Sequence, residues 1–375
     1  MATTELIHAD WPYVLDLLPG GLDESARARL ALVRRREIDS AESLLRLALC
    51  YGFCDCSLRQ TSAQMGLLGL AQLSDVAVLN RLRKAADWLG YLVLRFLQER
   101  GLAQEVPALQ VRIVDATTIC EPGSKGTDWR LHVALDLAQS CITSVELTGP
   151  EVGESFLRHA AAPGQVFLGD RGYAHREGVA SILDQGADVV QRLNWQNFPL
   201  ETTGGRSVDL VTCAEALRPG EVGDYDVQFR FQEGVYPGRL LILRKTQAAA
   251  EQAQAQIRRE ASRKGRKADA KSLRAAHFIY LLVTLPRDRL AALQGFELYR
   301  LRWQIEIVFK RLKSLIHLDH LRAKDPDLAR AYLYAKLLGA LLVEELSCSA
   351  LAFFPWGYRL FPTAHLSLAL AQDAG

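Results

Sequence analysis

The stretch QVFLGD, residues Gln165 to Asp170, is a short apolar run that ends in an acid. Apolar runs of this length are typical of strands that are buried in a sheet. The stretch VRIVD, residues Val111 to Asp115, shows the same pattern earlier in the chain. In open α/β sheets, sites form at the carboxyl ends of strands. The two acids are therefore predicted to meet at one edge of a sheet.

The segments around these two strands are a series of predicted strands and predicted helices. Residues 131–137, 141–147 and 188–193 are predicted as strands, and residues 153–162 and 175–185 as helices. The resulting order is three strands, helix, strand, helix, strand. This order predicts an α/β fold with a mixed sheet covered by helices, and it matches the ribonuclease-H-like fold.

The α/β pattern is interrupted and flanked by other segments. Short strand-like pieces at 208–212, 225–231 and 239–244, a basic helix and a strand at 278–284 indicate a β-rich insertion. The predicted boundaries are 1–106 for a helical N-terminal region, 107–194 and 290–322 for the two parts of the α/β domain, 195–289 for the insertion, and 323–375 for a helical C-terminal region. Residues 57–83 fit a helix-turn-helix-like DNA-reading unit, and also an ordinary small helical bundle.

Composition sets broad limits on the function. The chain has 375 residues, 49% of them hydrophobic, and a net charge of +2. Residues 258–274 contain eight basic and two acidic residues, a net charge of +6 that would attract a polyanion such as nucleic acid; a solvated helix face is the alternative. No transmembrane run or signal pattern is seen. The seven scattered cysteines are expected to be reduced thiols, so we expect a cytoplasmic protein without a membrane partner.

A third acid stands out on the predicted long helix 290–318. Glu306 has apolar neighbours, and a carboxylate held against an apolar surface is costly unless it is paired or binds a metal. With Asp115 and Asp170 it would form a set of oxygen ligands suited to Mg²⁺ or Mn²⁺. Two such ions, about 3.5–4 Å apart, can catalyse phosphoryl transfer. The alternatives are turn residues for the two Asp and a surface ion pair between Glu306 and Arg302.

The spacing around Glu306 resembles a family signature. Tyr299, Arg302, Glu306 and Lys313 match the Tyr-x2-Arg-x3-Glu-x6-Lys motif of bacterial DDE transposases of the insertion sequence 4 family. The segments 114–118 (VDATT) and 170–173 (DRGY) resemble the first and second Asp motifs of that family. Thr284-Leu285-Pro286 resembles the end of the family's last insertion strand. The resemblance covers residues 40 to 345, approximately.

The resemblance implies a role for each matching residue. Asp115, Asp170 and Glu306 would be the catalytic and metal-binding triad, holding two Mg²⁺ or Mn²⁺ ions. The residues expected to contact DNA are, on the signature helix, Tyr299, Arg302 and Lys313, and elsewhere Arg171, Lys125, Arg130 and Tyr280. Tyr280 matches the position of a base-stacking aromatic in relatives that form DNA hairpins, with Phe278 as second choice. Because those relatives have Trp there, hairpin chemistry is left open, and strand packing is the alternative for Tyr280.

The function implied is metal-dependent cleavage of double-stranded DNA at the ends of an insertion element, followed by strand transfer into target DNA. Because two ends must be held together, a homodimer on DNA is expected. The resemblance implies a bacterial protein associated with the nucleoid. The alternatives are another ribonuclease-H-like nuclease, and a non-catalytic DNA-binding protein derived from a transposase.

Overall fold

The computed structural model describes residues 11–33, 36–102, 110–124, 126–138 and 141–352. Its first part is a helical bundle, as predicted. The helices are α1 (Trp11–Asp16), α2 (Leu22–Ala28), α3 (Ala41–Tyr51), α4 (Leu58–Leu67) and α5 (Asp75–Leu102). Local sequence explains where α4 begins, because Ser57 and Gln60 form a capping box. On α5, the helically spaced Val78, Leu82 and Leu89 are fully buried.

A mixed sheet follows the bundle, which confirms the predicted α/β class. Within the described ranges it has nine strands, in the order β3-β2-β1-β4-β5-β9-β8-β7-β6. Their bounds are β1 (Gln110–Ile119), β2 (Trp129–Asp136), β3 (Cys141–Thr148), β4 (Gln165–Gly169), β5 (Asp188–Arg192), β6 (Glu201–Thr202), β7 (Val222–Phe231), β8 (Gly234–Arg244) and β9 (Phe278–Val283). Strand β4 runs parallel to both β1 and β5, and the other pairs are antiparallel.

The strands of the predicted insertion continue this sheet. Strand β9 pairs with β5 on one side and with β8 on the other, so β6 to β8 extend the sheet that begins with β3. The strand predicted at 208–212 is wrong, because residues Leu210–Ala214 form a short helix, α7. Its cap is Asp209, whose carboxylate accepts the N–H groups of Val211 and Thr212.

Two further helix predictions need correction. The helix predicted at 153–162 is only a 3₁₀ turn, Phe156–Arg158. The long helix predicted at 290–318 is two helices, α10 (Ala292–Arg300) and α11 (Trp303–Ile316), joined by a tight turn at Leu301 and Arg302. The remaining helices are α6 (Arg176–Asp184), α8 (Gln247–Arg263), α9 (Ala270–Ala275) and α12 (Pro326–Ala352). Gly265, with φ +63°, separates the basic helix α8 from α9.

Polar contacts tie the N-terminal bundle to the C-terminal helices. The carboxylate of Asp55, in the loop after α3, accepts hydrogen bonds from Tyr332 (2.5 Å) and Arg322 (2.9 Å). It also lies 3.4 Å from the ammonium of Lys336, which is 1% exposed and donates to the carbonyl of Ile316 at the end of α11. Removing one member of such a buried ion pair is strongly destabilising. Through Lys336, Asp55 therefore links the bundle to α11, the helix that carries Glu306.

The long helices α5 and α12 pack against each other, and α3 packs on α12. No helix among the described residues is long and apolar enough to cross a membrane. No disulfide joins Cys50, Cys54, Cys56, Cys120, Cys141 or Cys213, the cysteines whose side chains the structure describes, as expected.

Close packing at Gly339 gives a test of this arrangement. A Cβ at Gly339 would lie 2.2 Å from the ring of Phe53, so we expect Gly339→Ala to lower the free energy of unfolding by about 1–3 kcal/mol. Gly20 has no atom within 4 Å of a built Cβ, so Gly20→Ala should change stability by less than about 0.5 kcal/mol. Urea unfolding of both variants measures the difference. Equal effects would show that α12 does not dock on Phe53.

Candidate active site

The register of the parallel strands brings Asp115 and Asp170 together. Ile113 of β1 is paired with Leu168 of β4. Asp115 lies two residues beyond Ile113, and Asp170 two residues beyond Leu168, so the two acids are level across the strand pair. Asp170 directly follows β4, as predicted. Asp115 differs from the prediction, because it lies in the middle of β1, which continues to Ile119 by pairing with β2.

The backbone fixes both Asp side chains. The carboxylate of Asp170 caps a 3₁₀ turn, Arg171–Tyr173, and accepts the N–H of Gly172 at 2.7 Å. The carboxylate of Asp115 accepts the N–H of Ala116 at 2.8 Å. These bonds use one acceptor position on each carboxylate and leave the remaining lone pairs for other ligands.

Arg302 joins Glu306 to Asp115. Its guanidinium lies 2.9 Å from a carboxylate oxygen of Asp115 and 2.6 Å from one of Glu306. The ion pair with Glu306 was one of the alternatives considered from sequence, but Arg302 is only 18% exposed and bridges two acids. Glu306 itself is 58% exposed, so the expectation that it lies against an apolar surface is wrong. The apolar residues Ile305, Phe309 and Leu312 occupy the opposite, buried side of α11.

The acids lie close enough to influence one another. Burial raises the pKa of Asp115 to about 6, and the charges of Asp170 and Glu306 also raise it, whereas Arg302 opposes them. The charges of both other acids of the predicted triad therefore affect the pKa of Asp115, although Asp170 is 55 and Glu306 is 191 residues away in sequence. The fold thus brings these acids close enough for the charges of Asp170 and Glu306 to act on Asp115.

A fourth carboxylate, Glu154, was missed in the sequence analysis. It lies in the loop after β3, and its Oε2 would be 1.8 Å from a Cβ on Gly172. Burial raises the pKa of Glu154 to about 7, and the charges of Asp170 and Asp115 add to this. Because Glu154 does not follow an apolar strand, no local pattern singled it out. Only its contact with the Asp170 turn identifies it.

Three cationic residues, Arg171, Arg192 and Lys245, lie close to one another beside Asp170. Burial lowers the pKa of Lys245 to about 8, and the charges of Arg192 and Arg171 lower it further. Within the described residues, none of these three cations is in an ion pair. Tyr299 is close to Arg192 and Arg302, whose charges oppose the rise that burial causes in its pKa. Sequence reasoning named Arg171 and Tyr299 but missed Arg192 and Lys245, which lie at the ends of strands β5 and β8.

The other predicted DNA contacts fall in different environments. Tyr280 is 3% exposed and packs beside Phe278, so in this conformation it is a core residue, as in the strand-packing alternative, and base stacking by Tyr280 stays a prediction. The cause is the central position of β9 in the sheet. Arg130 donates to the carbonyl of Val152, near Glu154. Lys313 is half-exposed, seven residues after Glu306 on α11. Lys125 lies outside the described residues.

The donor set fits a hard divalent cation in its chemistry, because it consists of carboxylate oxygens. In this conformation the space between Asp115 and Glu306 is spanned by the guanidinium of Arg302. In this conformation no group of three or more His, Cys, Asp or Glu among the described residues is arranged to hold a metal. The backbones of Asp115 and Asp170 are level across the strand pair, and Mg²⁺ commonly uses one or two protein carboxylates together with water and substrate phosphate.

Comparison with known proteins identifies relatives of the whole chain. The family model described as Transposase DDE domain matches residues 107–342. A putative transposase InsL for insertion sequence element IS186A from Escherichia coli K12 is 38% identical over 357 residues, which cover 93% of this chain and 96% of the relative. The transposase for insertion sequence element IS421 from Escherichia coli is 38% identical with the same coverage. The transposase for IS231F from Bacillus thuringiensis is 27% identical over 198 residues, covering 49% of this chain and 42% of the relative.

The raised pKa of Asp115 predicts a pH effect on stability. The folded protein holds this proton up to about pH 6, whereas the unfolded chain loses it near the ordinary Asp value of 3.8. The stabilisation by proton binding is complete below the unfolded value and is lost as pH rises through about 6. Asp115→Asn cannot ionise, so its stability relative to the unsubstituted protein should increase between pH 4 and 7. Urea unfolding in a chelator measures this, and a difference that does not vary with pH would contradict the burial of an ionised Asp115.

Proposed function

Since this chain belongs to the DDE transposase family and is an insertion-element transposase, we propose that it cleaves double-stranded DNA at the ends of its element and joins the freed 3′ ends to target DNA. The first step is attack of water on the phosphodiester, which breaks the bond to the 3′ oxygen. The second is attack of that 3′ hydroxyl on a target phosphate, which releases a target 3′ hydroxyl. The observation that carries this proposal is that Asp115 lies level with Asp170 and shares the guanidinium of Arg302 with Glu306.

The family depends on divalent metal, and we propose Mg²⁺ or Mn²⁺, with two ions, held by Asp115, Asp170 and Glu306. The bound ions would supply activation of the attacking oxygen and stabilisation of the leaving one. The protein's part is to fix the acids on a strand, a capped turn and a helix. Arg302 forms ion pairs with Asp115 and Glu306, and its planar guanidinium can also bind a phosphate through two hydrogen bonds.

We propose that the cations beside Asp170 hold the DNA backbone next to the scissile bond. Arg192 and Lys245 are partly buried and Arg171 is exposed, and none of the three has a carboxylate ion-pair partner among the described residues, which favours an anionic ligand. Tyr299, Arg302 and Lys313 would extend this surface along α10 and α11. Such contacts position DNA without reading its sequence.

Three architectural proposals accompany this function. The order β3-β2-β1-β4-β5, with two antiparallel pairs followed by two parallel ones, supports a ribonuclease-H-like core split by residues 195–289. The helical region before residue 107 and the exposed cations of α8 are proposed as further DNA-binding surfaces. A homodimer is proposed on the ground that two element ends must be cut together.

Replacing the acids should separate chemistry from binding. Asp115→Asn and Glu306→Gln should abolish cleavage and strand transfer but leave binding to element-end DNA largely intact, because these acids hold metal and not DNA. Glu297 on α10 is exposed, and Glu297→Gln is the matched control that should retain activity. Cleavage assays and gel-shift titrations on the same preparations give both readouts. Full cleavage by Asp115→Asn would overturn the assignment.

Arg302→Ala should lower DNA affinity about equally for different sequences and reduce the slope of log K against log salt by roughly one unit. Cleavage should fall further than binding, because the scissile phosphate is no longer held in line. Arg302→Lys should restore little, since an ammonium lacks the planar two-point contact. Arg300→Ala, next to it on the exposed side, is the control. If Arg302 served only to pair with Asp115 and Glu306, its removal would leave the salt slope unchanged.

A further inference from the structure

Glu154 is an acid whose carboxylate faces other acids. Its Oε2 packs against Gly172, the residue whose N–H is bound to Asp170. Among the described residues, it has no hydrogen-bond or ion-pair partner. A half-buried carboxylate normally finds such a partner, because desolvation without compensation is costly.

The four acids of the site divide into two pairs. Asp115 and Glu306 share the guanidinium of Arg302, at 2.9 and 2.6 Å. Asp170 and Glu154 share no cation: in the described part of the chain the Asp170 side chain accepts only the Gly172 N–H, and neither acid is within ion-pair distance of a Lys or Arg. Arg130, the nearest candidate beside Glu154, donates to the Val152 carbonyl instead.

We infer that Glu154 is a fourth metal-binding carboxylate, which acts with Asp170, the other acid that is not in an ion pair with Arg302. This inference rests on the proposed function, because it assumes that Asp115 and Asp170 hold metal. Two carboxylates, completed by water and by an oxygen of the DNA phosphate, are a usual set of ligands for Mg²⁺ and Mn²⁺. Such an ion would supply the direct positive partner that Asp170 and Glu154 lack among the described residues.

The size of residue 172 supports this role. A Cβ at that position would be 1.8 Å from the Glu154 oxygen and 3.1 Å from an oxygen of Asp170. Glycine therefore allows both carboxylates to approach the same turn. The φ of Gly172 is not positive, so it is space rather than backbone conformation that requires glycine here.

The test is Mn²⁺ binding to the full chain without DNA, measured by calorimetry and by loss of the free Mn²⁺ paramagnetic resonance signal at pH 8. Glu154→Gln should weaken binding by at least about tenfold, the loss seen when groups around a metal are removed. Glu151→Gln is the matched control, three residues away on an exposed side chain, and should bind as the unsubstituted protein does. Without metal, the melting temperature of Glu154→Gln should be unchanged or higher, because a repulsive charge is lost.

Asp115→Asn serves as the reference for the proposed function. If Asp115→Asn loses Mn²⁺ affinity and Glu154→Gln does not, the inference about Glu154 is overturned and the proposed function stands. If neither variant changes Mn²⁺ binding, the proposed metal site itself is wrong. A Glu154→Gln protein that melts at lower temperature without metal, and binds Mn²⁺ normally once folded, would assign Glu154 a structural role and also overturn the inference.

The variant Gly172→Ala tests the role of Glu154 in a second, independent way. The added methyl group should displace the Glu154 carboxylate without removing it, and so weaken Mn²⁺ binding in the otherwise unsubstituted protein. In the Glu154→Gln background it should cause much less additional loss, since the two changes act on the same ligand. Equal losses in both backgrounds would show that the methyl group acts through the Asp170 turn, which contradicts a role for Glu154.

Discussion

The site depends on one electrostatic constraint: several carboxylates are held together where water cannot fully screen them. Such a cluster needs positive charge, or it must hold protons. In this chain Arg302 supplies part of that charge by bridging Asp115 and Glu306, and burial raises the pKa of Asp115 to about 6. The remaining acids, Asp170 and Glu154, have no such counter-ion among the described residues. A site whose acids lack counter-ions favours divalent cations and the phosphate-bearing ligands that accompany them.

Strand pairing and helix packing hold these acids in place. The parallel pairing of β1 and β4 sets Asp115 level with Asp170, and the packing of α11 on β1 brings Glu306 over the sheet. The end of α11 is held in turn by Lys336, whose buried ammonium also reaches Asp55 in the N-terminal bundle. The position of α11 is therefore coupled to a region that lies far away in sequence.

The sheet also explains why acids and cations lie side by side. Strand β9 joins the insertion to β5, and this junction carries Lys245 next to Arg171 and Arg192. Acids thus occupy one side of the Asp170 turn and cations the other. Under the proposed function, a DNA backbone lying across this boundary would meet the proposed metal ligands and phosphate contacts together. The same continuity buries Tyr280, which removes it from the surface where a base could stack.

Local patterns were sufficient wherever a residue's role follows from its neighbours in sequence. The apolar run before Asp170, the spacing of Tyr299, Arg302, Glu306 and Lys313, and most strands of the sheet could be predicted because burial imposes a period on the chain. The middle position of Asp115 in β1, the break between α10 and α11 and the helix at Leu210–Ala214 could not, since each depends on pairing or capping that competes with propensity. Glu154, Arg192 and Lys245 had no local signal at all. Their place in the site is set by contacts between segments far apart in sequence, and only the tertiary structure decides which charges must be close together.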